Sequence, residues 1–164
     1  MRSALAATLL VLGLAACGDN STSTTPAPTA HEEVHQEGTP LEEASARTPS
    51  PAGARVFLIE PANGATVKSP VTVKFGIEGM DVAPAGSETP NSGHHHLLID
   101  ADLQDYDAPI PSDDQHRHFG KAQTEATIEL APGQHTLRSV LGDKNHIPHD
   151  PPVQSDVITI TVEE

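Results

Sequence analysis

Cysteine and aromatic residues are what this chain has least of. It has a single cysteine, no tryptophan, one tyrosine and three phenylalanines. One thiol excludes an internal disulfide and any cysteine-type metal site. So few rings mean that a core, if there is one, must be aliphatic. Basic residues are also scarce, with 9 Lys and Arg against 23 Asp and Glu and a formal net charge of -14. That balance argues against binding nucleic acid or adhering electrostatically to anionic lipid, because both need basic patches. It favours cations near the surface, and it also suits the solubility of an exported protein. No helical stripe of apolar residues appears anywhere. No Gly-x-Ser-x-Gly elbow is present, and Ser87, Ser92 and Ser112 lack convincing triad partners. We therefore expect a non-enzyme.

The lone cysteine is placed informatively. Met1-Arg2 gives a short positive end, and Ala4 to Leu14 is an apolar run too short to span a bilayer as a helix. The run ends in Leu14-Ala15-Ala16-Cys17, which resembles a bacterial lipobox. In that motif the peptidase cuts before the cysteine, and the cysteine carries the lipid. Residues 1–16 are thus expected to be a lipoprotein signal peptide, with Cys17 as the lipidation site and the membrane as a partner. Gly18 stands where many inner-membrane lipoproteins carry a retaining Asp, so the periplasmic face of the outer membrane is favoured. Residues 17–53 are rich in Ser, Thr, Pro, Ala and Glu and read as a disordered tether. His31 and His35 belong to it and read as solvated linker residues.

From residue 54 to residue 164 the chain is expected to form one domain, of ~110 residues, enough for a single core. Its apolar residues alternate with period two. Val71, Val73, Phe75 and Ile77 do so, as do Ala126, Ile128 and Leu130, and Ile158, Ile160 and Val162. Pro and Gly punctuate the stretches between, and Pro61-Ala62-Asn63-Gly64 reads as a turn. Strands are predicted near 55–60, 65–67, 70–78, 95–101, 121–130, 134–142 and 155–163. That pattern predicts an all-β, antiparallel sandwich of immunoglobulin or fibronectin type III character.

Most of the ten histidines fall in three clusters: His94-His95-His96, His116-Arg117-His118 and His146-Ile147-Pro148-His149. Two of these contain His-x-His. On a strand, residues i and i+2 share a face, about 7 Å apart, so both imidazoles can reach one ion. In a seven-strand sandwich the B–C, D–E and F–G loops meet at one end, and all three clusters are predicted to lie there. His94, His96, His116, His118, His146 and His149 are the candidate metal ligands. Asp113, Asp143 and Asp150 are candidate carboxylate ligands or acceptors for imidazole N–H groups, although Asp beside Pro or Gly more commonly serves a turn. If Leu97 and Ile99 face the core, His95 points inward and is structural; Leu98 lies in the other row, so His95 also stands as an alternative ligand or as support for the ligands. His135 follows Pro132-Gly133 and reads as a turn residue at the opposite end. With Met80 the only methionine after Met1, the donor set is nitrogen and oxygen, which suits Cu(II), Zn(II) or Ni(II) and disfavours Cu(I).

One series of motifs points further. Gly93-His94-His95-His96-Leu97-Leu98-Ile99-Asp100, His118-Phe119-Gly120-Lys121-Ala122-Gln123-Thr124-Glu125, Pro132-Gly133-Gln134-His135-Thr136-Leu137, Leu141-Gly142-Asp143 and His146-Ile147-Pro148-His149-Asp150-Pro151-Pro152 run in this order. The series resembles the bacterial domain-of-unknown-function family numbered 4399, over residues 70 to 163. The resemblance implies an exported bacterial domain with an immunoglobulin-like sandwich, and no activity. His116-Arg117-His118-Phe119-Gly120 is also superficially similar to a copper–zinc superoxide dismutase motif, but its spacing is off by a residue and the other ligands do not line up. Two readings remain open: a lipid-anchored extracytoplasmic module handling copper(II) or zinc(II), and a non-metal envelope or adhesion module, engaging other envelope proteins, whose histidines are structural.

Overall fold

The computed structural model describes residues 47–164. The expected signal peptide and most of the expected tether, with Cys17, His31 and His35, lie outside the described residues. Among the described residues there are nine strands and no helix, hence none long and apolar enough to cross a membrane. The strands are β1 (Arg55–Glu60), β2 (Thr66–Lys68), β3 (Val71–Glu78), β4 (Asp81–Val82), β5 (Ser92–Ile99), β6 (His116–Phe119), β7 (Glu125–Ile128), β8 (Gly133–Gly142) and β9 (Ile158–Glu163). They form two facing sheets. One is antiparallel, in the order β1-β3-β7. The other runs β2-β9-β8-β5, with β4 and β6 sharing the far side of β5. β2 joins β9, and β4 joins β5, in parallel; the other pairings are antiparallel. The chain is an all-β sandwich, as the alternation predicts.

Period-two alternation puts one row of each strand between the sheets. Val71, Val73 and Phe75 of β3 and Ile128 of β7 meet Leu97, Ile99, Leu137, Ile160 and Val162 from the other sheet. Thr72, Thr161 and Glu163 face water. Truncating a side chain such as Leu97, which is fully buried, costs about 2–5 kcal/mol.

β5 departs from this rule: all eight of its residues are buried. Its inner row, His95, Leu97 and Ile99, faces the opposing sheet, where His95 stacks on Phe75 at 4.6 Å between ring centroids. Its outer row is His94, His96 and Leu98. The segment between β5 and β6 folds over the outer face and packs Leu103, Ile110 and Tyr106 against Leu98 and Val140. The loop after β8 covers the rest.

The predicted boundaries shift in three places. The His94-His95-His96 run lies inside β5, because its pairing with β8 begins at His94↔Gly142. His116 to Phe119 forms a strand of its own on the edge of β5. The domain also begins before residue 54. Ser50 N–H donates to the Asp150 carbonyl, Asp150 N–H to the Thr48 carbonyl, and Arg47 Nε–H to the Pro148 carbonyl. These residues carry no apolar pattern; their order comes from backbone pairing with the 148–151 loop.

His135 fastens the rim of the sheet. Its Nδ1 lies 2.7 Å from Asp100 Oδ2 and its Nε2 2.9 Å from the Ala131 carbonyl. Both partners are acceptors, so both ring nitrogens donate and the ring is an imidazolium. The Asp100 hydrogen bond accordingly raises the His135 pKa, against the opposing effect of burial. Because the folded value lies above the unfolded one, this contribution is fully present below about pH 6.5 and is lost as pH rises through the raised value. We expect the His135 ring resonances to titrate above those of a free histidine in the wild type. In Asp100→Asn the titration should return to the ordinary range. An unshifted wild-type titration would remove the ion pair.

Candidate metal centre

The pairing of β5 with β6 builds the centre. His96 is directly opposite His118 in the ladder, and His94 follows on the same face of β5. One ligand atom from each of His94, His96 and His118 lies within 4.8 Å of the others. His94 and His96 are buried and His118 is exposed on the edge strand. The two Nε2 atoms of His94 and His96 face one another at 3.0 Å. One proton can be shared between them, so at least one presents a lone pair. His96 Nδ1 is buried without a hydrogen-bond partner.

The fourth ring comes from the loop after β8. His146 stands 4.9 Å from His94 and 4.8 Å from His118, centroid to centroid. The sequence signal for this residue was only its cluster; what places it is Asp143. That carboxylate is buried and accepts from the backbone N–H groups of Asn145 and Ile147 through Oδ1, and from the Thr48 hydroxyl through Oδ2 at 2.6 Å. Both oxygens are thus occupied in shaping the loop, so Asp143 is a clamp and not a ligand in this arrangement.

The remaining candidates are elsewhere. His116 shares the face of His118 but sits opposite Leu98, where its Nδ1–H donates to Asp113 Oδ1 at 2.8 Å. Asp113 also accepts from the N–H groups of Gln115 and His116, as a turn residue does. His149 is fully buried behind Gly93, and its Nδ1–H donates to the Leu141 carbonyl. His95 is on the opposite face of the sheet, 3.3 Å from Ser139 Oγ. Asp150 is exposed and faces Arg47 at 3.5 Å. The structure therefore gathers His94, His96, His118 and His146, and it separates His116, His149, His95, Asp113 and Asp150 from them. Sequence clustering could not make this division, because a loop such as 143–150 has no period to say which side chain turns inward.

Three glycines make room for imidazoles. A Cβ on Gly142 would stand 2.9 Å from His96 Nε2, one on Gly120 would stand 2.4 Å from the His118 ring, and one on Gly93 would stand 3.0 Å from His149 Cε1. The need here is for space, since their φ angles lie outside the left-handed region.

The electrostatics favour neutral rings. Burial, followed by the neighbouring His146 and His118, pushes the His94 pKa down to about 4. Burial, followed by the neighbouring histidines, pushes His96 down to about 2. Burial alone takes His95 to about 4. Burial and then His146 lower His118. Neutral imidazole is the form that binds metal ions. A surface cleft of 590 Å³, lined in part by His118, Phe119 and Thr127, gives His118 access to solvent.

These depressed values fix the sign of an acid effect. The folded chain binds fewer protons than the unfolded chain between about pH 4 and 6.5, so stability rises with pH across that window. The contribution is fully present above 6.5 and is lost as pH falls. The urea midpoint of the metal-free chain is expected to drop steadily from pH 6.5 to 4.5. A flat profile there would contradict the burial of these rings.

Comparison with known proteins adds the family but no activity. None of the curated proteins matches this chain. Among solved structures, the fibronectin(III)-like modules of Clostridium thermocellum CbhA are similar, at 11% identity and a TM-score of 0.33, covering 65% of this chain and 92% of that one. Residues 73–163, more than half of the sequence and all three histidine clusters, match the family described as Domain of unknown function (DUF4399), and the chain belongs to that family.

Proposed function

We propose that this chain is a lipid-anchored, extracytoplasmic metal-binding module, a binder rather than an enzyme, that handles Cu(II) or Zn(II) through His94, His96 and His118. The observation that carries this reading is the convergence of three imidazole donors within 4.8 Å, two of them buried. Three histidines elsewhere in the domain have acceptors for one ring nitrogen or more: His135 has Asp100, His116 has Asp113 and His149 has the Leu141 carbonyl. Those three fit a structural role. The gathered rings instead face one another: His94 and His96 can share one proton, and the remaining lone pairs are placed for a shared cation. Three nitrogen ligands without sulfur suit zinc or copper(II). Met80 is packed with Val56, Leu141 and Val153 and does not reach the centre.

The anchor is Cys17, and the lipobox resemblance supports export and attachment at the outer membrane's periplasmic face. The acidic balance of the chain supports the accumulation of cations around it.

Calorimetric titration of the full chain, purified without a histidine tag, with Zn(II) and Cu(II) tests the reading. One ion per chain at sub-micromolar affinity is expected, with loss of binding in a folded His94→Ala/His96→Ala variant. Affinity no better than that of scattered surface imidazoles would leave the non-metal envelope module as the surviving reading. A second substitution probes the centre from behind. Gly142→Ala places a methyl group against His96 Nε2, an overpacking that costs about 1–3 kcal/mol. Metal affinity should fall in this variant by more than it does in Gly64→Ala, where the added Cβ has no neighbour within 4 Å. Equal affinities in the two variants would separate His96 from the ion.

A further inference from the structure

The proposed three-histidine site leaves one coordination position of a tetrahedral ion unassigned, and the geometry of the fourth ring bears on it. Zinc–nitrogen bonds of about 2.0–2.1 Å, with the imidazole centroid about 1.1 Å behind the nitrogen, put each ring centre about 3.2 Å from the ion. Four rings in a tetrahedron then have all six centroid separations near about 5.2 Å, whereas a square plane gives four near about 4.5 Å and two near about 6.4 Å. The observed separations are 4.9 Å for His94–His96, 4.9 Å for His94–His118, 4.9 Å for His94–His146, 5.0 Å for His96–His118, 4.8 Å for His118–His146 and 5.9 Å for His96–His146. Five of the six fall in a narrow band; the sixth, His96–His146, lies between the tetrahedral and the trans distance. The set of ring nitrogens within 4.8 Å of one another comprises His94, His96 and His118, so closure by His146 needs its ring to turn toward them. The Nε2–Nε2 distance of 3.0 Å between His94 and His96 is close to the about 3.3 Å edge of a zinc–nitrogen tetrahedron.

The loop holds His146 in place through its backbone. Its φ of 68° is in the left-handed region, uncommon for a non-glycine residue and shared here by Asn91, Asp100 and Ala122. His146 N–H donates to the Asp143 carbonyl, the His146 carbonyl accepts from Ile110 N–H, and Asp143 N–H donates to the Ile147 carbonyl. These hydrogen bonds fix the backbone of a residue whose ring meets three other imidazoles.

We propose that His146 is the fourth ligand of a closed, tetrahedral four-imidazole site, and that the site is shaped for Zn(II) rather than for tetragonal Cu(II) or Ni(II). This rests on the metal-binding reading above and deepens it. Two ligands come from β5, one from the edge strand β6 and one from the loop after β8. A closed set of four protein ligands is the arrangement of a holding site, since a catalytic zinc keeps a position for water.

Cobalt(II) reports both geometry and openness. The full chain loaded with Co(II) is expected to show the intense visible absorption of a tetrahedral ion, unchanged by millimolar azide. In His146→Gly, where glycine accepts the positive φ, azide should shift the bands. Zinc affinity should fall there at least as far as the about 10–100-fold typical of an outer-shell partner. His146→Asn, which also tolerates the left-handed region, should behave alike, with thermal unfolding verifying that both variants fold. Azide shifting the wild-type spectrum as it shifts the variants, or a weak octahedral spectrum, would overturn His146 as a ligand while leaving the three-histidine site. One-to-one Cu(II) binding with neither Co(II) nor Zn(II) bound would overturn the tetrahedral assignment alone. Failure of all three ions to bind would overturn the metal-binding reading itself.

Discussion

The burial of β5 on both faces is the constraint on which the rest of the structure depends. A strand in a two-layer sandwich normally spends one row of side chains on the core and gives the other to water. β5 has β8 on one side and β4 and β6 on the other, and its outer row is roofed by the 100–115 segment and the loop after β8. Its two rows then have different tasks. Leu97 and Ile99 hold the sheets together, while His94 and His96 are enclosed on the outer face beside apolar Leu98 and Val140. Polar rings buried this way cost free energy unless they find partners. His96 Nδ1, His95 Nε2 and His149 Nε2, for which none is present, show that the sandwich tolerates this cost at several imidazoles.

Register does the positioning. A one-residue slip between β5 and β6 would turn His118 to the inner face and bring Arg117 beside His96. The slip is opposed by the inner row itself, because Phe119 would leave its contact with Phe75 at 5.3 Å. The apolar core therefore sets the geometry of the polar cluster. The same holds on the loop side, where Ile147 is buried and Asp143 binds its N–H, so that the intervening His146 is held against the rings of β5 and β6. Rigid elements of this kind position ligands at low entropic cost.

How much of this was legible follows from period. The alternation in β3 and β9 reads directly as a half-buried strand, and the split of His95 from His94 and His96 follows from counting by twos once Leu97 is put inside. β6 was not legible, because His-Arg-His-Phe offers a single apolar residue and owes its extended form to pairing with β5. The fates of His146 and His149 were equally hidden. They are three residues apart in an aperiodic loop, and the difference between them comes from hydrogen bonds to Asp143 and Leu141 that no local pattern encodes. Residues 47–50 read as tether for the same reason: their order resides in the 148–151 loop, about a hundred positions away.

The distribution of hydrogen bonds bears on which reading of the histidines is the stronger. A scaffold role requires each ring to join parts of the chain, and His135, bridging Asp100 and Ala131, is how such a role looks in this molecule. Its neighbours raise its pKa. The gathered rings show the opposite pattern: they touch mainly one another, and burial and mutual proximity lower the pKa of His94, His96 and His118. A group of bases kept neutral, facing a common centre and enclosed by a rigid sheet, gains little from self-contact. It would gain a great deal from one cation, because each lone pair would then have a partner and the mutual repulsion would become shared attraction. That asymmetry between the bridging and the gathered histidines is the physical ground for the metal-binding proposal.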